Sequence, residues 1–145
     1  MTWIRPALAA HGPRPCTLVV CRGCCCGTSR KNPGTDHAAQ LARLEEAAAG
    51  SEGRLAVRTV DCLGPCAQAN IIVVQPSTEA RRRGARATWF GWVLDDSATD
   101  DITAWALSGG PGSTPLPPAL TLHQVDPPTP APNPDRPKKQ RRKGR

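Results

Sequence analysis

Apolar residues in this chain fall into short runs whose period changes from one run to the next. Residues 17–20, Thr-Leu-Val-Val, are almost wholly apolar, the pattern of a short strand covered on both faces. Across residues 37–49 the period becomes helical and places His37, Leu41, Leu44 and Ala48 on one face. Asp36, just after the Pro33-Gly34 turn, is the candidate N-cap, and Gly50 is the stop. Residues 55–61 alternate Leu55, Val57 and Thr59 against Ala56, Arg58 and Val60, which predicts a second strand. Strand, helix and strand make a right-handed crossover, so the two strands are expected to be parallel.

Ile71-Ile72-Val73-Val74 is a continuous apolar run bounded by turn residues, hence a buried third strand. A polar loop over residues 75–84 leads to a fourth strand at 87–94, too close for a crossover helix and so antiparallel to the third. Trp89, Gly91 and Val93 should share one of its faces, and Phe90, Trp92 and Leu94 the other. Ser97 with Asp100 three residues on resembles a capping box, and Asp101 reinforces the helix start. Ile102, Trp105 and Ala106 form the inner face of that helix, which ends at Gly109-Gly110. The predicted class is α/β, a β-α-β-β-β-α two-layer domain.

At 145 residues the chain has room for one domain, expected over residues 16–110. Residues 1–15, with Pro6, Pro13 and Pro15, are expected to be an extended arm. Residues 111–145 hold ten of the sixteen prolines and almost no apolar periodicity, which predicts a disordered tail. The net charge of +7 is concentrated there: the tail has seven Lys+Arg and two Asp, leaving residues 1–110 nearly neutral. A single terminal basic block, residues 136–145, has weak and salt-sensitive affinity for any polyanion, so nucleic-acid binding is not expected as the main function. No apolar run approaches the roughly 20 residues that span a bilayer, which predicts a soluble protein.

Seven cysteines, three of them consecutive, carry the chemistry. Cys21, Cys24, Cys25 and Cys26 follow the first strand, and Cys62 and Cys66 follow the second in Asp61-Cys62-Leu63-Gly64-Pro65-Cys66. Ligands in α/β sheets sit at the carboxyl ends of strands, so both groups should emerge at one end of the sheet. Met1-Thr2-Trp3-Ile4-Arg5-Pro6 lacks the apolar core of a secretory signal, and the cysteine number is odd. A reducing cytoplasm with thiolate ligands is therefore expected, rather than a disulfide framework. Cys16 is expected to be a small buried residue, and His37 a packing or capping residue.

Three chemistries compete for these thiols. Cys21-x2-Cys24 matches a dithiol oxidoreductase motif, although no helix follows to lower the attacking thiol's pKa. Four thiolates could hold a structural zinc, which would make the chain a zinc-stabilised interaction module with a basic anion-binding tail; Cys62-x3-Cys66 is looser than the usual knuckle. Two cysteines from each of two loops could instead hold a 2Fe-2S cluster.

Val20-Cys21-Arg22-Gly23-Cys24-Cys25-Cys26-Gly27, Cys62-Leu63-Gly64-Pro65-Cys66, the 71–74 strand and Trp89-Phe90-Gly91 together resemble the thioredoxin-like 2Fe-2S ferredoxins. That domain also occurs in the peripheral 2Fe-2S subunit of NADH:quinone oxidoreductases. The resemblance spans residues 17–109 and implies a thioredoxin-like fold and a one-electron carrier rather than an enzyme. It further implies a protein redox partner, a homodimer, and a 2Fe-2S cluster on Cys21, Cys26, Cys62 and Cys66. Such an all-cysteine ligand set implies a low potential, on the order of the plant-type value near −400 mV. Most relatives have a single second cysteine where this chain has the triplet, and often proline where it has Asn70.

Overall fold

The computed structural model describes residues 15–22, 28, 32–64 and 66–128, with the side chain of Cys66 outside that description. Strand β1, Cys16–Cys21, is followed by helix α1, His37–Ala49, and strand β2, Leu55–Val60. A single 3-10 turn, Cys66–Gln68, precedes β3, Ile72–Gln75. The short helix α2, Thr78–Arg82, and β4, Thr88–Phe90, come next, then helix α3, Asp96–Leu107. A short α4, Pro118–Thr121, and a final β5, Gln124–Val125, complete the described elements. The class is mixed α/β, with sheet order β2-β1-β3-β4-β5.

As the crossover predicted, β1 and β2 are parallel, with Cys21 level with Val60. β3 runs antiparallel to both β1 and β4, and β5 extends the sheet antiparallel to β4. Period-two alternation sorts the side chains into two cores. Leu18, Val20, Ile72, Val74 and Phe90 face α1 and α3, where Leu44, Ile102 and Trp105 complete the larger cluster. Phe90 and Trp105 meet edge to face, ring centroids 5.9 Å apart. Val19, Cys21, Ile71 and Val73 form a smaller cluster on the opposite side, with Val60, Leu63 and Trp89 packed against it.

Helix α1 matches the sequence expectation from cap to stop: the Asp36 carboxylate accepts from Ala39 N at 3.0 Å, and Gly50 closes its end. Elsewhere the structure departs from the pattern. The fourth strand ends at Phe90, because Trp92 takes a left-handed φ of 53° and breaks the alternation. Val93 therefore joins Phe90 in the larger core instead of lying opposite it, and Trp92 is 47% exposed. Helix α3 is capped by Asp95, whose carboxylate accepts from Ala98 N at 2.8 Å, and so begins before Ser97. Ser77 caps α2 within the stretch expected to be a loop.

The largest difference lies past Gly110. Residues 111–128, expected to be disordered, pack onto the domain through Leu120, which is 0% exposed, and Val125. The Trp105 indole N–H donates to Thr114 O at 3.0 Å and fastens the start of this segment. Residues 1–14 of the arm expected over 1–15 and the rest of the expected tail, residues 129–145, lie outside the described residues. No helix among the described residues is long and apolar enough to cross a membrane.

Candidate metal centre

Parallel pairing decides where the two cysteine segments begin. Cys21 is the last residue of β1, and β2 ends at Val60 beside it, so Asp61 and Cys62 leave the sheet at the same end. Cys21 N donates to Ile71 O at 3.1 Å and Arg22 N to Val60 O at 2.8 Å, which pins the exit of β1 from both sides. The Cys21 thiol is buried, and its Sγ lies 3.8 Å from the carbonyl oxygen of Asp61, the residue before Cys62. Cys62 is exposed, and neither it nor Cys21 is in a disulfide. The backbone of Cys66 opens the 3-10 turn that follows.

Cys24, Cys25 and Cys26 and the Cys66 side chain lie outside the described residues, so of the four expected ligands the structure describes the thiols of Cys21 and Cys62, with Cys21 against Asp61, the residue before Cys62. Among the described residues no three His, Cys, Asp or Glu side chains form a ligand group. Helix α1 begins only at His37, well beyond the Cys21-x2-Cys24 pair. Cys16 lies at the other end of β1, where burial pushes its thiol up to about 11.

The second cysteine loop is held on several sides. Trp92 N donates to Gln68 O at 2.8 Å and Val93 N to Asn70 O at 3.2 Å. Gly91 lies so close that a Cβ there would come within 2.9 Å of Gln68 O. Gly64, at φ +115°, faces Pro128, whose side chain would be 3.1 Å from an added Cβ. The ordered segment after β5 therefore backs onto this loop. The His123 ring, with Nδ1 3.0 Å from Gly91 O, supports the same corner.

A buried polar network joins the two segments behind the cysteines. The Arg22 guanidinium donates to Gln40 Oε1 and to His37 O. Gln40 Nε2 donates to Val93 O at 2.8 Å and Thr99 Oγ1 at 3.1 Å. The Asn70 amide donates to His37 Nδ1 at 2.9 Å, so His37 carries its proton on Nε2 and donates it to Asn32 O at 3.1 Å. His37 is thus a buried structural residue, as the sequence predicted. Asn32 Nδ2 is buried with no hydrogen-bond partner, a state that costs about 1–3 kcal/mol for an ordinary amide.

Arg22, Asn32, Gln40 and Asn70 were not singled out as site-supporting residues by the sequence. The legible signal was Gln40, a polar residue on the inner stripe of an amphipathic helix, three positions from His37. Soft thiolates of the kind Cys21 and Cys62 can supply suit zinc or an iron–sulfur cluster. Compared with known proteins, the chain matches no family model, and no curated protein or solved structure shows significant similarity to it.

Proposed function

We propose that this chain is a one-electron carrier of the thioredoxin-like ferredoxin kind, holding a 2Fe-2S cluster through Cys21 and Cys26 from one loop and Cys62 and Cys66 from the other. The observation that carries the reading is the approach of Cys21 Sγ to Asp61 O at 3.8 Å, which brings the first thiol against the start of the second cysteine segment. When bound, the cluster supplies reversible one-electron chemistry.

The chain's own residues perform the remaining tasks. Cys21 anchors the buried side, where Val19, Ile71 and Val73 keep water away. Cys62, on the exposed side, faces the surface at which a partner protein gives or takes the electron. The Arg22–Gln40–Asn70–His37 network fixes the loop bases, so they need little rearrangement when the charge of the site changes.

Anaerobic purification followed by visible absorption and iron, sulfide and zinc analysis tests this proposal. About two irons and two sulfides per chain, with thiolate-to-iron charge-transfer bands, are expected. Cys21→Ser and Cys62→Ser should lose that absorption while Cys16→Ser keeps it. A colourless protein with one zinc per chain would replace the electron carrier by the zinc-stabilised module.

A further inference from the structure

The corner behind the first cysteine loop contains one donor whose acceptor is missing. Asn32 Nδ2 is shielded from solvent and makes no hydrogen bond. Its backbone is fixed by groups that flank three cysteine positions. Asn32 N donates to Thr28 O at 3.1 Å, two residues past Cys26. Asn32 O accepts from His37 Nε2, and His37 is itself bound by Arg22, next to Cys21, and by Asn70, four residues past Cys66. Among the described residues around this corner, Thr28 O accepts from Asn32 N, Gln40 Oε1 from Arg22 and Asn70, and Asp61 O from the Cys21 thiol. Thiolate sulfur, which the cysteine positions flanked by these groups carry, is an acceptor that such a donor suits.

We infer that the Asn32 side-chain amide donates an N–H···S hydrogen bond to a sulfur of the thiolate centre, making Asn32 a positioning residue that tunes its potential. This inference rests on the proposed cluster. A cluster gains negative charge on reduction, so an N–H donor stabilises the reduced state more than the oxidised one and raises the potential. Asn32 transfers no electron itself; it acts through the sulfur that it binds.

The test is a spectroelectrochemical titration of the full-length, cluster-loaded protein and its Asn32 variants, with iron and sulfide measured on each sample. Asn32→Leu keeps the side-chain size and removes both N–H donors. Its midpoint should shift to more negative potential at unchanged iron content. Asn32→Asp, which replaces the donors with a carboxylate oxygen, should shift further in the same direction, and it decides the matter if the leucine variant does not fold. Asn32→Ser, which restores a hydroxyl donor, should recover part of the shift. Cluster-loaded variants that titrate with the wild type would overturn the role of Asn32 and leave the electron carrier standing. A wild-type protein without iron would overturn the carrier, and this inference with it.

Discussion

Gly91 has no space for a side chain, since an added Cβ would lie 2.9 Å from Gln68 O and 3.0 Å from Val125 Cγ1. Neither neighbour yields easily: one is backbone of the second cysteine loop and the other belongs to the edge strand. Gly91→Ala should therefore cost about 1–3 kcal/mol in urea unfolding and loosen the 62–66 loop, whereas Gly34→Ala, in open space, serves as the control. The thiols differ just as sharply. Burial raises Cys16 from 9.0 to about 11, so the fold favours its protonated form. That contribution is complete below pH 9 and disappears as the pH rises through about 11. In the presence of a chelator, a thiol reagent at pH 8 should label exposed Cys62 quickly and leave Cys16 unmodified until the chain unfolds; rapid labelling of native Cys16 would contradict its burial.

Among the elements, α1 was legible from sequence because its cap, period and glycine stop agree, β1 and β3 because their apolar runs are continuous, and β2 because its residues alternate. The end of β4 was not, since a left-handed φ at a tryptophan has no sequence signal. Nor were α4 and β5, where Leu116, Leu120 and Val125 are too widely spaced among prolines to show a period. At the candidate site the cysteine motifs are legible in the sequence, whereas the polar network of Arg22, Gln40, Asn70 and His37 is not, because hydrogen bonds between distant segments leave no local pattern. The missed segment has a measurable weight. Leu120 is fully buried, so Leu120→Ala should destabilise the domain by about 2–5 kcal/mol, and a chain ending at Gly110 should be less stable than one ending at Pro128. Across α1 and α3, Arg43 binds Asp100 at 2.7 and 3.0 Å on the surface and holds its carboxyl below the usual range. The pair's small contribution is present at neutral pH and is lost as acid protonates Asp100. Asp100→Asn should therefore unfold at slightly lower temperature at pH 7, and the difference should vanish at the acid end of the titration.

At the scale of the molecule, the cysteines and the basic charge are separated along the sequence. The two cysteine segments begin at the carboxyl ends of β1 and β2, and Cys16 lies at the opposite end of β1. Residues 129–145 carry seven Lys+Arg and one Asp, so their removal takes the formal charge from +7 to +1. Charge packed into one terminal block gives polyanion affinity that falls steeply with salt and owes little to the fold. A chain ending at Pro128 keeps Leu120, Val125 and the contact of Pro128 with Gly64. It should unfold at the same urea concentration as the full chain and retain the same metal content, yet elute from heparin at much lower salt. Unchanged elution would move the affinity onto the folded surface, where Arg81, Arg82, Arg83 and Arg86 form the next basic group. Loss of metal on the same truncation would instead tie the tail to the cysteine loops, against their separation along the sequence.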